Sequence, residues 1–311
     1  MHFPVLKQEV IDCLKLKPGS KVIDCTVGEG GHSLAILKKI GAKGKLLAID
    51  LDSNNINVFL ERAGQDNVKT KIFAREENFI DLERIAKETK IGPVDAILFD
   101  LGISERQLAD VKKGFSFLRQ GPLDMRLNQS KQNLTAEAIV NYWNRKQLEE
   151  IIRDYGQEKF ARKISGEIDK ARRIKPIRQT LELVGIIKRA VPGSYCRNLA
   201  GKRNSYRGQR IHFATKTFQA LRIAVNRDLE NLSQALPQTL RLLKKGGRLA
   251  VISFQSLEDK IVKEFIKEKS AKGELTAVFK KLATASKQEI KINPRSRSAK
   301  LRAAIKIKTV Y

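Results

Sequence analysis

The chain has 311 residues, with 61 Lys+Arg against 34 Asp+Glu for a formal net charge of +27, and 41% of its residues are hydrophobic. That apolar share supplies a sizeable core and excludes wholesale disorder, while the charge points to a polyanionic partner rather than to any particular fold. No apolar run reaches the roughly 18 to 20 residues of a membrane span. The N-terminus lacks a signal-peptide pattern, and Cys13, Cys25 and Cys196 form no CxxC pair, so the expectation is a cytoplasmic protein without membrane contact, disulfide framework or metal.

Along the chain, Lys21–Cys25, Lys45–Asp50, Val68–Ala74 and Val94–Asp100 read as strands, because each is apolar and bounded by Gly, Pro, Asp or Asn. Helical spacing at Ser33–Ile40 and Ser53–Arg62 between them predicts βαβ units and a parallel sheet. After Asp100 the rhythm changes to helix signals alone. Asn144 and Gln147 form a capping box, Leu148, Ile151, Ile152 and Tyr155 an apolar stripe, and Gly156 a stop. Phe160, Ile164 and Ile168 continue the pattern, as do Leu183, Val184, Ile187 and Val191 before Pro192. Phe218 to Leu243 reads as a long amphipathic helix with a break at Pro237, and Arg248 to Phe254 as a strand. The expected organisation is α/β: a sheet domain split into residues 1–105 and 214–311 around a helical insertion, 106–213, with Asn198–Gln209 as a mobile loop.

The turn from the first strand into the first helix, Asp24-Cys25-Thr26-Val27-Gly28-Glu29-Gly30-Gly31-His32-Ser33, is rich in glycine, which lets backbone N–H groups approach a ligand closely. A dinucleotide fingerprint wants a third glycine where Ser33 stands, and Glu29 would repel a pyrophosphate. S-adenosylmethionine, with a carboxylate, an amine, a sulfonium and a ribose but no phosphate, suits an acidic glycine loop better. Asp50 ends the second strand about 20 residues on, the position from which a carboxylate accepts ribose hydroxyls; the competing reading is a loop start or helix cap. Asp52, directly before a helix, is read as a cap. Asp100 ends the fourth strand, where ligands of open α/β sheets bind, against the alternative of another cap. His32 is either a ligand contact or a locally bonded helix residue, and with 3 His in the chain it has no cluster to join.

These residues resemble the MraW/RsmH family of small-subunit ribosomal RNA cytosine-N4 methyltransferases. The similarity runs from His2-Phe3-Pro4-Val5-Leu6 through Gly28-Glu29-Gly30-Gly31-His32-Ser33, Asp100-Leu101-Gly102-Ile103-Ser104, Gly114-Phe115-Ser116-Phe117 and Gly121-Pro122-Leu123-Asp124-Met125-Arg126. It continues through Tyr155-Gly156, Thr217-Phe218-Gln219-Ala220-Leu221-Arg222-Ile223, Ile252-Ser253-Phe254, Ser256-Leu257-Glu258-Asp259 and Asn293-Pro294-Arg295. It implies a class I (Rossmann-like) S-adenosylmethionine-dependent methyltransferase sheet with an inserted all-helical substrate domain. By the family pattern, Gly30, Gly31 and His32, with Gly28 in the same loop, contact the cofactor and Asp50 holds its ribose. Phe79 flanks the adenine, or is simply a core aromatic, and Asp100 and Gln107 complete the pocket. The chain departs from the pattern at Glu105 for serine, Gln255 for the histidine of ISFHSLED, and Phe213 for proline.

The implied reaction is methylation of the N4 amine of a decoding-region cytosine, with Asp100 as the N4–H acceptor. DLGIS lacks the stacking aromatic common after this strand in amino-methyltransferases, so the base must be held elsewhere, with Phe115, Phe117 and Asp124-Met125-Arg126 as candidates. From Lys159 to Lys216 there are 16 Lys/Arg and 3 Asp/Glu, and Lys291 to Tyr311 adds seven basic and no acidic residues. Arg172, Arg173, Arg203 and Arg207 are the candidate phosphate contacts, the competing reading being a solvated face. Small-subunit rRNA, free or in the assembled subunit, is the expected partner; whether the enzyme is a monomer or a homodimer stays open. The alternatives are an RNA-binding ribosome-assembly factor that has lost transfer, which the glycine loop with Asp50 and Asp100 argues against and Gln255 keeps open, and an amino-methyltransferase of the same fold acting on another nucleic acid.

Overall fold

The computed structural model describes residues 4–200 and 212–308, the side chains of 197–200 excepted. Two compact units emerge, residues 1–103 with 229–311, and residues 104–228. The first begins with α1 (Lys7–Leu14), β1 (Lys21–Asp24), α2 (Gly31–Ile40), β2 (Lys45–Asp50), α3 (Ser53–Gln65), β3 (Lys71–Glu76), α4 (Leu82–Glu88) and β4 (Val94–Asp100). β1 lies between β2 and β4, all parallel, with Ile23 opposite Leu47 and Ile97. Ile23, Leu47, Ile97 and Phe99 enter the core that includes Leu82 and Ile85 of α4. Their alternates Val22, Leu46, Ala96 and Leu98 enter the opposite core with α1, α2 and α3. Burial on both faces is why these strands read as unbroken apolar runs. β3 starts later than Val68 because Asn67 turns left-handed (φ 51) and the Val68 N–H donates to the Ala63 carbonyl (3.2 Å), closing α3 instead.

The second unit contains α5 (Glu105–Ala109), α6 (Ala136–Tyr142), α7 (Arg145–Asp154), α8 (Ala161–Ile174), α9 (Thr180–Ala190), α10 (Gly193–Ala200) and α11 (Thr215–Asn226). Its only strand-type pairing among the described residues is a bridge between Pro122 and Gln179. Asn144 and Gln147 form the expected capping box of α7, with reciprocal N–H bonds of 3.0 and 2.9 Å. Leu148, Ile151, Ile152, Ile164, Ile168, Leu183 and Ile187 form the buried stripes. Of the segment expected as a mobile loop, Asn198–Ala200 complete α10 and the rest lies outside the described residues.

The helix expected from Phe218 to Leu243 breaks at Arg227 (φ 54) and not at Pro237, giving α11 and then α12 (Asp228–Leu242). The buried Asn226 amide is the cause: it donates to the Met125 carbonyl (2.8 Å) and accepts the Leu127 N–H (2.9 Å), which fixes the end of α11. Pro237 removes one helical bond, but α12 continues through it, with Leu232, Leu236 and Leu240 buried on either side. Because α11 packs on α6 and α7, the helical unit extends to Asp228, whereas the sequence reading returned to the sheet at residue 214.

The chain then adds β5 (Leu243–Ser253), α13 (Ser256–Ala271), β6 (Leu275–Ala277), β7 (Ala283–Thr284), α14 (Lys287–Ile292) and β8 (Lys300–Lys306). The order is β3-β2-β1-β4-β5-β8-β6, with β7 also on β8. The first five strands are parallel and β8 runs antiparallel to its neighbours, giving a Rossmann-like sheet with a reversed edge. The last three strands had no counterpart in the sequence pattern.

Candidate active site

Three adjacent strands, β2, β1 and β4, each end in an aspartate: Asp50, Asp24 and Asp100. Asp24 is fully buried. It accepts the Ser33 hydroxyl (2.7 Å) and the Thr26 N–H (3.1 Å), tying the start of α2 to the end of β1. Burial, with the nearby Asp50 charge, pushes its carboxyl up to about 6 against those hydrogen bonds. Asp50 accepts the N–H groups of Gly28 (2.8 Å) and Asp52 (2.9 Å) and the side-chain amide of Asn55 (3.2 Å). Its carboxyl also stands near 6, raised by burial and by the Asp52 charge and lowered by the three donors. Asp52 itself caps α3, accepting the Asn54 N–H at 3.1 Å.

The glycine loop closes over this edge. Gly28 (φ 53) and Gly30 (φ 82) adopt left-handed backbone conformations that favour glycine. A Cβ on Gly30 would stand 2.6 Å from Cδ2 of Phe59, and one on Gly31 3.0 Å from Cβ of Pro4. Arg62 donates to the Glu29 carbonyl at 2.7 Å, which holds the loop to α3.

Asp100 faces the loop from β4. Its N–H donates to the Thr26 hydroxyl (2.6 Å), and its Oδ2 lies 3.5 Å from Nε2 of the buried His32. Its Oδ1 is buried and accepts no hydrogen bond from the described residues. Burial, then Asp24, then Glu258 push the carboxyl up to about 8, the largest rise among the three. No lysine or arginine pairs with Asp24, Asp50 or Asp100 among the described residues, and no His/Cys/Asp/Glu group there is arranged to hold a metal. Such carboxyls at adjacent strand ends can accept hydrogen bonds and offset the charge of a cationic organic ligand.

Phe79 follows two residues after Glu77, whose N–H donates to the Asp50 carbonyl (3.1 Å). Its half-buried ring meets Phe99 edge-on, centroids 5.4 Å apart. It is thus both a core aromatic and a neighbour of the Asp50 strand end. Gln107 belongs to the helical unit: its Oε1 accepts the Ser104 N–H (2.9 Å), and its own N–H reaches the Ser104 hydroxyl (3.2 Å). Asp24, Thr26 and Glu258 were missed by sequence reasoning. A polar residue ending an apolar strand was the available signal for Asp24, the same one that marks Asp50 and Asp100. Gln255 takes a structural role at the N-terminus of α13, donating its amide to Glu258 (2.6 Å) while its N–H reaches the same carboxylate (3.3 Å).

The base-holding candidates divide. Asp124 and Arg126 form a two-point ion pair (2.8 and 2.7 Å), and Arg126 also donates to the Gln132 carbonyl (2.8 Å), so they brace their own loop. Phe115 is buried, while Phe117 stacks on His212 (4.7 Å, 7°) and meets Phe218 edge-on (5.7 Å).

The basic surface also differs from the expectation. Arg172 is only 14% exposed and donates to Asp169 (2.8 Å) and to the Val140 (3.0 Å) and Trp143 (2.5 Å) carbonyls, so it joins α8 to α6 rather than facing solvent. Arg173 is 76% exposed, with one ion pair to Asp169. Arg203 and Arg207 lie outside the described residues. In the C-terminal segment Lys300 and Arg302 pair with Asp259 (3.3 and 2.6 Å), and the buried Lys306 donates to the Leu240 and Leu243 carbonyls. No helix among the described residues is long and apolar enough to cross a membrane.

The MraW methylase family model matches residues 1–307. A "Ribosomal RNA small subunit methyltransferase H" of Thermosipho melanesiensis is 42% identical over 308 residues, covering 98% of each chain. The protein of the same name in Clostridium botulinum is 40% identical over 321 residues, covering 98% of this chain and 99% of that one. A solved rRNA methylase from Streptococcus thermophilus superposes with a TM-score of 0.46 at 12% identity, over 99% of this chain and 100% of that one. With a family match that runs through both units and relatives aligned end to end, the chain belongs to the MraW methylase family.

Proposed function

We propose that the protein transfers the methyl group of S-adenosylmethionine to the exocyclic N4 amine of a cytosine in the decoding region of small-subunit ribosomal RNA, in the cytoplasm. The names carried by its relatives support the substrate class. The observation that carries the chemistry is Asp100, a strand-end carboxyl raised to about 8 with a buried oxygen open to a donor, beside a glycine loop and two further aspartates.

The residues fit the methyl donor. Three of about four acceptor sites on the Asp50 carboxylate are already used, which leaves room for a ribose hydroxyl. Gly28, Gly30 and Gly31 keep side chains out of the way of the ligand, His32 borders it, and Phe79 offers a ring edge for the adenine. Gln107 stays in the proposed set on the family pattern. When bound, the sulfonium supplies an electrophilic methyl group. Ionised by the nearby cationic donor, Asp100 accepts the N4–H of the cytosine through Oδ1, orienting the amine lone pair along the line of transfer and taking up the proton that the amine loses. Its raised affinity for protons suits that second role. The cytosine must arrive unpaired or flipped, because a stacked duplex buries N4. Exposed cations of the helical unit, Arg173 among them, supply phosphate contacts that orient the RNA.

Incubating the protein with methyl-labelled donor and assembled small subunits, naked rRNA or DNA, then digesting to nucleosides, tests the reading. N4-methylcytidine from small-subunit RNA is the expected product; label in DNA or no label would overturn it. Asp100→Ala is expected to lower kcat by at least about 100-fold while still binding donor.

A further inference from the structure

We infer that the corner where α6 and α8 end is a docking surface for unpaired nucleotides of RNA, an inference that rests on RNA being the substrate. Two ties fix this corner. Arg172 bonds the carbonyls of Val140 and Trp143, and the Asn141 side chain donates to the Ile177 carbonyl (2.8 Å) and accepts the Ile177 N–H (2.9 Å). The neighbours of these tied positions, Tyr142 and Ile174, are 84% and 89% exposed. Large apolar side chains held outward on fixed helix ends contribute nothing to the core of this unit, and a polar residue at either place would serve the fold equally well.

The electrostatics select the occupant. From Lys170 to Arg178 the sequence carries five basic residues and no acidic one. Arg173, Lys175 and Arg178 are exposed around Ile174. Arg173 shares Asp169 with Arg172, and Lys175 reaches Glu182 only at 3.4 Å. Such surface pairs hold their cations weakly, leaving them available to phosphates. A second copy of a chain carrying +27 would bring like charge to the patch. Single-stranded RNA brings both complements, phosphates for the cations and open base faces for the tyrosine ring, whereas a duplex hides the bases.

The test uses the full chain without methyl donor and a fluorescein-labelled unstructured RNA, read by anisotropy, alone and annealed to its complement. Tyr142→Ala with Ile174→Ser is expected to weaken single-strand binding by about fivefold or more, with Tyr142→Phe retaining it and duplex binding changing less than twofold. Arg173→Glu with Lys175→Glu is expected to weaken both and flatten the salt dependence. Both sites are exposed, so thermal melts should be unchanged. Unaltered single-strand affinity in folded Tyr142→Ala/Ile174→Ser protein would overturn the surface. So would a wild-type dimer, seen by sedimentation, that this variant converts to monomer. A wild type that binds single strands here but transfers no methyl group would overturn the proposed reaction and leave the surface standing.

Discussion

Among the described carboxyls, Asp100 carries the largest rise. Its folded-state value of about 8 lies above the ordinary 3.8, so between those limits the folded protein holds a proton that the unfolded chain has released. Stability from this group is complete below about pH 4 and is lost as pH rises toward 8. Asp24 and Asp50, near 6, add a loss of the same sign at lower pH. The depressed carboxyls Asp169 and Asp259 act in the opposite sense, but only in the acid range below the ordinary carboxylate value. Tm is therefore expected to fall between pH 5 and 8, and to fall less steeply in Asp100→Asn. A cationic ligand reverses the preference, since it favours the ionised carboxyl. Binding of S-adenosylmethionine should then release protons and tighten as pH rises toward 8. Calorimetry in buffers of different ionisation enthalpy reads the release, which should shrink in Asp100→Asn and for the uncharged thioether S-adenosylhomocysteine. At Gly30 the argument is steric: φ 82 and a Cβ position 2.6 Å from Phe59 predict that Gly30→Ala loses at least about 1–2 kcal/mol in urea unfolding and weakens donor binding. The glycine loop, Asp50 and Asp100 were legible in the sequence because a strand end, a glycine run and a following helix are local. Asp24 and Glu258 became visible only when the sheet placed their charges near Asp100.

Among the elements, local chemistry was again the readable part. The capping box of α7 and the stripes of α7, α8 and α9 depend on residues three or four positions apart, and they appear as the sequence predicts. The break at Arg227 was not readable, because Asn226, which fixes it, bonds Met125 across 101 positions. The same holds for Arg172, which looks on the page like any other cation of a basic run, yet its guanidinium lies between two helices. Arg172→Ala is expected to cost about 2–3 kcal/mol, since it strands two carbonyls and Asp169, while Arg173→Ala stays within about 0.5 kcal/mol; chemical denaturation distinguishes them. A loss of RNA affinity without a loss of stability in Arg172→Ala would contradict that assignment.

Across the whole molecule, net charge proved a poor guide to where the charge acts. Lys300, Arg302 and Lys306 hold the reversed strand β8 to Asp259 and to the carbonyls of Leu240 and Leu243. Arg173 and Lys175 of the helical unit make only exposed surface pairs, so phosphates can compete for them in a way they cannot for these. Titrating RNA affinity against salt separates the two groups. Removing Arg173 and Lys175 should reduce the log–log slope by about 0.7 per lost phosphate contact on a single strand, whereas Arg302→Gln should lower Tm and leave the slope unchanged. By itself the sequence determined the alternation of strands and helices, the helical segment within it, the glycine loop and the strand-end acids, all of which are written in short-range patterns. The tertiary structure alone decided which cations are structural and where the helical unit ends. It also decided that β8 enters the sheet backwards and that Asp24 and Glu258 stand close enough to raise the Asp100 carboxyl. Each of these depends on burial and on pairings between residues far apart in the chain, and neither leaves a periodic trace in the sequence.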